Sequence, residues 1–402
     1  MTVDSPVSAR ALAPPIYAGS LLAALGKGTM LLLIPIQGLE LGGLMGGFSL
    51  PGMFAVGAVL TNLPGAMAVT RFGHKPVMLF GMALMAVSAL VVAYAGSLWL
   101  MTAAAFTYGL GQGANGLARV AYLADMVQPE QRGRVVSAVG GSHRIGLFAG
   151  PAAGGALAAL VDRPTAIAAV ALCCGLAFLV LALRLPPGTT VPSPVQSTPL
   201  SMVGRVLSRH RHTFATAGIA MLALSLVRHA RMLLIPICGT MLGLGEAEVG
   251  VVKSLSMGVD MVLFYPAGIA MDRLGRKWTA APCLVVLSIG VVLVGMADSY
   301  GALLVGGLVA GLGNGIGSGI NMTLAGDYSP REGRAEFIGV WGLTSDLGSA
   351  VSPFVMGSVA SAMTLAGAAS VATGIGLAGA ALVVVAMRET LVKPEKSLGY
   401  GE

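Results

Sequence analysis

Residues Gly268–Lys277 read G-I-A-M-D-R-L-G-R-K and lie between two long apolar segments. A diverged copy, A-M-A-V-T-R-F-G-H-K, occupies Ala66–Lys75, 202 positions earlier in the chain. A proline stands two residues before each copy, at Pro64 and at Pro266. A charged loop that occurs twice in a very hydrophobic chain indicates duplication of a membrane-embedded unit.

The composition restricts the chain to the membrane class. Hydrophobic residues make up 55% of the 402 residues, charged residues only 10%, and the mean hydropathy is +0.84. A soluble domain has about 25% charged residues, so lipid must cover this much apolar surface. The apolar segments are near 20 residues long and lack period-2 alternation, which predicts helices rather than barrel strands. We expect no soluble domain, no metal, no cofactor and no nucleic-acid partner.

The pattern predicts an all-α membrane protein with twelve transmembrane helices in two pseudo-symmetric six-helix bundles. The predicted domains are an N-terminal bundle (1–184), a cytoplasmic linker rich in Pro, Ser and Thr (185–212), and a C-terminal bundle with a short cytoplasmic tail (213–402). The predicted spans, numbered 1 to 12 in chain order, are 15–38, 48–69, 76–96, 99–125, 135–161, 164–184, 213–238, 248–271, 278–297, 301–326, 336–360 and 365–387.

Lysine and arginine predict the orientation of the chain. The Lys and Arg residues between the spans collect on one side, and Arg163 is the only one in the loops of the other side. Because cytoplasmic loops carry the positive excess, both termini are expected in the cytoplasm. The net charge of +7 therefore follows topology. We predict a multi-pass protein of the inner or plasma cell membrane.

The duplication extends beyond the loops. Leu32–Ile36 reads L-L-I-P-I and recurs as Leu233–Ile237. Gly111–Gly113 in span 4 corresponds to Gly313–Gly315 in span 10. Two parallel halves related by an axis along the membrane normal are typical of secondary transporters, whose substrate site lies near the midplane between the halves.

The Gly-x-x-x-Asp-Arg-x-Gly-Arg-Lys loop, the two six-span halves and the linker resemble the major facilitator superfamily. Gly146–Gly155 in span 5 is similar to the Gly-x-x-x-Gly-Pro-x-x-Gly-Gly signature of its drug:proton antiporter branch. The branch also carries Arg-x-x-Gln-Gly in span 4, but Gly109 replaces the arginine here. Close helix packing is an alternative explanation of the span-5 motif, whose small residues and proline are Gly146, Gly150, Pro151, Gly154 and Gly155.

Asp272 lies at the cytoplasmic end of span 8, where the helix dipole is unfavourable for an acid. The resemblance implies that it meets the start of span 5 near Arg134 and holds the cytoplasmic side closed. Thr70 stands at the matching position of the first copy and carries no charge. We expect Glu336, at the start of span 11, to supply the missing negative charge. Both loops could instead supply only topogenic charge. The predicted conformational latch comprises Thr70, Arg71, Gly73, Gly268, Asp272, Arg273, Gly275, Arg276 and Glu336.

Polar side chains within the spans predict the transport site. A charge at the centre of a span costs about 2.5–3.5 kcal/mol on insertion scales, so such residues usually serve a pathway or an internal pair. Asp260 and Asp346 are the predicted proton-coupling residues, since a buried carboxylate can exchange a proton as its surroundings rearrange. Basic residues outnumber these acids, which favours anionic or zwitterionic cargo. The predicted cavity comprises Lys27, Gln112, Asn115, Arg119, Arg144, Arg228, Arg231, Asn314 and Asn321.

Structural contacts are the alternative to a transport role for several of these side chains. Lys253 could snorkel outward. His143 and His229 could provide polarity rather than a proton relay. The possible static pairs are Arg119 with Asp125, Arg228 and Arg231 with Asp260, and Arg144 with Asp346.

These features predict a proton-coupled secondary transporter that acts as a monomer on a small-molecule substrate. We expect export of small, partly apolar organic compounds or drugs by alternating access. The alternative is a proton symporter that imports an organic anion or metabolite. A membrane sensor or a lipid-translocating protein is a further possibility, although a sensor would need an output domain. We predict no catalytic residues.

Overall fold

The structure is a computed structural model that describes residues 9–186 and 199–391. These residues form helices without any strand, and the helices cover all twelve predicted spans. A short π-helical turn at Phe214–Gly218 lies within span 7. The helices are Ala9–Leu60, Asn62–Phe72, His74–Tyr94, Leu98–Met126, Pro129–Leu160, Arg163–Arg184, Pro199–Arg209, Arg211–Thr213, Ile219–Met241, Glu246–Leu274, Lys277–Gly295, Tyr300–Ile316, Ile320–Tyr328, Arg334–Ala362 and Leu365–Ala386.

The first helix, Ala9–Leu60, contains spans 1 and 2 and is broken between them at Gly42 and Gly43. Gly43 has a φ of +58° and a ψ of −154°, a conformation that only glycine adopts readily. The two spans then pack closely, since a Cβ on Gly38 would lie 2.4 Å from the carbonyl oxygen of Gly46. The chain therefore reverses direction at this glycine pair.

Eight helices in the described part of the chain are long and apolar enough to cross a membrane by length and composition. The helices of spans 4, 5 and 11 fall short of that measure. These three spans carry polar side chains, such as Gln112, Arg144 and Asp346. Polar residues in a membrane bundle normally face its interior, so these spans are expected to border the space between the halves.

The two copies of the doubled loop make the same contact with their own halves. His74 Nε2 lies 3.0 Å from Asp125 Oδ2 at the end of span 4. Arg276 Nε lies 3.0 Å from Asp327 Oδ2 at the end of span 10. His74 and Arg276 are 202 positions apart, and so are Asp125 and Asp327. The duplication read from the sequence is thus present in the contacts as well.

A segment after span 12 binds the second copy of the loop. The Glu389 carboxylate accepts hydrogen bonds from the backbone N–H groups of Arg276 and Lys277, at 2.9 and 3.1 Å. Partial burial alone would raise the pKa of Glu389, but the backbone N–H donors of Leu391, Arg276, Lys277 and Thr390 outweigh it and hold the pKa below its usual value. The N-terminus of the span-9 helix is therefore capped by this acid.

The predicted linker contains a helix, Pro199–Arg209, in its described part; residues 187–198 lie outside the described residues. This helix is amphipathic, because Val206 is buried while Arg205 and Arg209 are exposed. Such a helix lies along a surface rather than crossing the membrane. The predicted linker was not assigned a helix, since the stretch is rich in Pro, Ser and Thr.

The halves meet most closely at the end of the bundle opposite the doubled loops. We call these two ends the opposite end and the doubled-loop end. A Cβ on Gly155 of span 5 would lie 2.2 Å from the carbonyl oxygen of Glu246, where the span-8 helix begins. A Cβ on Gly250 would lie 2.5 Å from the carbonyl oxygen of Pro151. Only glycine permits backbones to approach this closely.

Candidate substrate cavity

A cavity of about 370 Å³ lies between the halves, bordered by spans 1, 2, 4, 5, 7, 8, 10 and 11. Leu31, Phe54, Leu147 and Met257 supply part of an apolar wall. The polar lining residues are Lys27, Gln112, Arg228, His229, Arg231, Asn314, Asp346 and Ser349. Six of the predicted site residues line one cavity, namely Lys27, Gln112, Arg228, Arg231, Asn314 and Asp346.

Asp260 lies among three polar partners in the middle of the bundle. Its carboxylate is 3.8 Å from Arg144 Nη1 of the first half and 3.9 Å from Arg231 Nη2 of the second half. Asn314 donates a hydrogen bond to Asp260 Oδ2 at 2.5 Å. Arg231 is only 1% exposed, so Asp260 is the acid that compensates a fully buried guanidinium.

Arg144 crosses from span 5 to the second half. Its guanidinium stacks over the ring of Phe264, 4.1 Å from the centroid, and Nη2 donates to Ser318 Oγ at 3.1 Å. The possible pair between Arg144 and Asp346 is not formed, because Asp260 is the acid beside Arg144. Ser318 and Phe264 were not predicted as site residues.

Asp346 has different surroundings. Asn62 of span 2 donates a hydrogen bond to Asp346 Oδ2 at 2.9 Å, which joins the two halves. None of the ion pairs in the described residues includes Asp346. Lys27 lines the same cavity as this carboxylate. The sequence carried one signal for Asn62, which is an amide between apolar stretches of span 2.

Asn115 and Asn321 were predicted to line the cavity, but they lie elsewhere. Asn115 is buried against span 3, where a Cβ on Gly81 would lie 2.9 Å from its backbone nitrogen. The side-chain oxygen of Asn321 accepts a hydrogen bond from Trp341 Nε1 at 2.8 Å within the second half. Both were placed in the cavity because they share a helical stripe with true lining residues, but a stripe wider than the cavity also reaches neighbouring helices.

The structure shows neither the pair of Arg119 with Asp125 nor an outward-directed Lys253. Arg119 donates to Ser20 Oγ of span 1 at 3.1 Å, while Asp125 is paired with His74 instead. Lys253 does not snorkel outward, since the residue is only 1% exposed. Neither Arg119 nor Arg144 is a lining residue of the cavity.

The predicted latch residues are separated in this conformation. The side chain of Asp272 is 77% exposed and lies 3.6 Å from Arg276 of its own half. Thr70 donates to the carbonyl oxygen of Met67 in its own helix, and Glu336 is exposed. No ion pair in the described residues joins either loop to the other half. The latch stays a prediction, and it concerns the conformation in which the doubled-loop end is closed.

The span-5 motif packs on both neighbours of span 5. A Cβ on Gly146 would lie 2.5 Å from the carbonyl oxygen of Leu21, and one on Gly150 would lie 2.4 Å from that of Leu25. Gly154 faces the side chain of Thr29 in the same way. These three glycines therefore face span 1, whereas Gly155 faces span 8 of the other half.

A charged cluster, which was not predicted, joins the halves at the opposite end. Arg163 forms ion pairs with Glu40 of its own half and with Glu246 of the second half. Its Nη2 lies 2.6 Å from Glu246 Oε1, and its Nε lies 3.1 Å from the same oxygen. The side chain of Arg163 is 18% exposed, so the contact is shielded from solvent. These two ion pairs explain why a single arginine lies among the loops of this side.

Glu246→Gln is expected to raise the fraction of molecules open at the opposite end by about fivefold. A shielded ion pair of this kind is worth about 1 kcal/mol, and its loss favours separation of the halves. The measurement is the rate of thiol labelling at a cysteine introduced in place of Leu31, which lines the cavity. Glu40→Gln is the matched control, because Glu40 and Arg163 belong to the same half. Equal effects of both variants would contradict the prediction.

A second space, of about 530 Å³, lies between spans 2, 3 and 4. Its lining includes Phe72, Phe80 and Leu84, and none of its described lining residues is ionisable. Phe80 is 64% exposed on the outer surface of the bundle. This groove lacks the polar groups that would orient a substrate, and the cavity between the halves remains the candidate site.

Two six-helix halves around a charged central cavity define a membrane transporter. The sequence model described as Major Facilitator Superfamily matches residues 16–229 and 218–402. The chain therefore belongs to the major facilitator superfamily, and the predicted twelve-helix fold is confirmed.

Known proteins are similar to this chain over different lengths. The class C tetracycline resistance protein of Escherichia coli is 28% identical over 251 residues, which are 55% of this chain and 62% of that protein. The human organic anion transporter MFSD10 is 18% identical, with a TM-score of 0.67 over 93% of this chain and 99% of that one. A D-xylose–proton symporter is 14% identical, with a TM-score of 0.76 over 96% and 99%. The two structural likenesses bear on the fold alone.

Proposed function

We propose that the chain is a proton-coupled secondary transporter that exports small, partly apolar organic compounds or drugs, with a preference for cargo that carries an acidic group. The observation that carries this proposal is the cavity lining, where Lys27, Arg228 and Arg231 accompany the single carboxylate Asp346. Arginine and lysine side chains bind carboxylates through charge-assisted hydrogen bonds. The excess of positive charge therefore favours an anion or a zwitterion.

The apolar wall supports the second part of the proposal. Leu31, Phe54, Leu147 and Met257 border the same cavity as the basic residues. Small-molecule sites combine such apolar surface with a few polar groups that fix orientation. The cavity volume of about 370 Å³ lies within the range of small-molecule sites in proteins.

Asp346 is the better placed of the two acids for proton coupling. It faces the cavity and has an amide partner, whereas Asp260 lies between two guanidinium groups. A carboxylate that pairs with two guanidinium groups suits a structural role. A carboxylate beside the cargo can exchange its proton as the cavity changes sides. We assign coupling to Asp346 and a structural role to Asp260.

The direction of transport rests on similarity and on charge. The tetracycline resistance relative suggests export, and we place the doubled-loop end and both termini in the cytoplasm of a cell-membrane protein. The latch between Asp272 and the start of span 5 would then close the cytoplasmic side in the outward-facing state. Residues 185–212 would connect two bundles that rock as units, within a single monomer.

A second candidate is a proton symporter that imports an organic anion. The basic lining of the cavity favours it as well, because three cationic groups would hold an imported carboxylate equally well. One structural neighbour is a human organic anion transporter, and another is a D-xylose–proton symporter. Export and import differ in the sign of the pH gradient that drives the substrate, and transport measurements separate them.

Lys27→Met is expected to weaken binding of an aromatic carboxylate by about tenfold, while binding of its neutral amide analogue changes less than twofold. The change removes the charge but keeps the length of the side chain, and a charge-assisted hydrogen bond is worth about 1.5–3 kcal/mol. The measurement is calorimetric binding to the purified transporter, with tetracycline as a zwitterionic probe.

Lys75→Met is the matched control, because Lys75 Nζ donates to the carbonyl oxygens of Ala182 and Leu185, away from the cavity. Binding of the carboxylate should be unchanged in that variant. If the neutral amide bound as tightly as the carboxylate to the unaltered protein, the proposed preference for acidic cargo would be wrong.

A further inference from the structure

Lys253 of span 8 is a buried cation without an acidic partner in the described residues. Its Nζ lies 2.5 Å from the carbonyl oxygen of Leu31 in span 1 and 2.8 Å from that of Met232 in span 7. The residue is 1% exposed. None of the ion pairs in the described residues includes it. One ammonium group thus connects helices of both halves.

The sequence explains why these two carbonyl oxygens lack a hydrogen bond within their own helices. In an α-helix, each carbonyl accepts a hydrogen bond from the N–H four residues later, and proline has no N–H. Pro35 follows Leu31 by four residues, and Pro236 follows Met232 by four residues. Each proline therefore leaves one carbonyl without a helical partner, and the Lys253 ammonium takes both.

The two prolines belong to the repeated segment L-L-I-P-I, at Leu32–Ile36 and Leu233–Ile237. Duplication thus produced two equivalent free carbonyls, one in each half. The lysine itself has no counterpart, because Pro51 stands 202 positions before Lys253. A symmetric pair of acceptors is served by a single donor from the second half.

The contact lies on the side of the cavity towards the opposite end. Lys253 is in the first turns of the helix that begins at Glu246, and Leu31 is in the last turns of span 1. Arg163 and Glu246 join the halves further out. A transporter of this type must separate its halves at that end to open the cavity there. The bond from Lys253 to Leu31 must then break, whereas the bond to Met232 can persist within the second half.

We propose that Lys253 is a positioning residue for the conformational cycle, which closes the cavity at the opposite end by binding the proline-freed carbonyl of span 1. Span 7 holds the lysine in place through the equivalent carbonyl of Met232. The proposal rests on membership of the family and is independent of which substrate is carried. It assigns Lys253 no contact with cargo, although Leu31 and Met232, which supply its two acceptors, line the cavity.

The test is a distance distribution between spin labels on cysteines introduced at Leu41 and Met241. These residues are 44% and 59% exposed at the ends of spans 1 and 7, on the opposite end. Lys253→Met should raise the long-distance, open population about tenfold, since methionine keeps the apolar stem but cannot donate. A merely structural residue would lower stability without moving this ratio.

Two proline variants make the test specific. Pro35→Ala restores the helical N–H for the Leu31 carbonyl, so it should also raise the open population, and it should add little to the effect of Lys253→Met. Pro236→Ala is the matched control, because it satisfies the Met232 carbonyl within the second half and leaves the contact between halves. We expect it to change the open population less than twofold.

An unchanged distance distribution in folded Lys253→Met protein would overturn the proposal. Equal effects of Pro35→Ala and Pro236→Ala would overturn it too, because the contact between the halves would then have no special role. If Lys253→Met does not fold, Pro35→Ala alone decides, since that variant retains the lysine. In that case a closed population equal to that of the unaltered protein counts against the proposal.

Discussion

Replacing Asp346 by Asn is expected to abolish transport driven by a pH gradient, at least a hundredfold, while exchange of substrate across the membrane continues. The side-chain oxygen of the new amide can still accept the hydrogen bond that Asn62 donates to Asp346 at 2.9 Å. The variant therefore keeps the contact between the halves but loses the group that titrates. The measurement compares gradient-driven uptake with equilibrium exchange in the same proteoliposomes.

Asp298→Asn is the control for this experiment. Asp298 is exposed in the loop between spans 9 and 10 and is not a lining residue of the cavity. Its loss should leave gradient-driven uptake within a few-fold of the unaltered protein. Unimpaired uptake in the Asp346→Asn variant would remove Asp346 from the coupling mechanism, and loss of exchange as well would indicate a role in binding or folding instead.

Asp260→Ala is expected to have the largest effect on stability. Removal of this acid leaves Arg231, which is 1% exposed, without a counter-charge, and also frees Arg144. Breaking a buried pair by removal of one partner costs about 3–5 kcal/mol. The expected result is a melting temperature in detergent that is lower by roughly 5 °C or more, measured by the fluorescence of a thiol dye.

Asp346→Ala is the matched comparison, because this acid has no ion-pair partner in the described residues. It should lower the melting temperature much less than Asp260→Ala does. Adding Arg231→Met to Asp260→Ala should recover a large part of the loss, since the uncompensated charge is gone. The reverse order of the two acids would show that the structural and coupling roles are exchanged.

The fold could be predicted from the sequence because its determinants are local and repeated. Apolar segments near 20 residues define the spans, and the two loops at Ala66–Lys75 and Gly268–Lys277 define the duplication. The pairing of His74 with Asp125 and of Arg276 with Asp327 follows the same 202-residue offset. Properties that depend on length, hydropathy and repetition do not require knowledge of how the helices are rotated.

The partners within the site depend on helix rotation, and the sequence did not contain it. Arg144 and Asp346 occupy equivalent positions in the two halves, yet Arg144 contacts Asp260 and Asp346 contacts Asn62. Asn115 shares a helical stripe with Gln112 but is turned towards span 3. A rotation of one residue, about 100°, moves a side chain from the cavity to a neighbouring helix.

Only part of the Lys253 contact could be predicted from the sequence. The prolines at Pro35 and Pro236 predict two free carbonyls from sequence alone, because the helical hydrogen-bond pattern is fixed. Which cation reaches both carbonyls depends on how span 8 packs between spans 1 and 7. The alternative in which Lys253 snorkels outward did not take these two acceptors into account.

The most direct test of proton-coupled export is uptake of an aromatic carboxylate and of tetracycline into proteoliposomes with an imposed pH gradient. We predict accumulation when the interior is acidic, because protons that leave would drive substrate inward by exchange. A weak acid accumulates passively in an alkaline interior, so protein-free liposomes give the opposite sign for the carboxylate and serve as the control. Accumulation only with an acidic exterior, or none above the control with either gradient, would contradict the account.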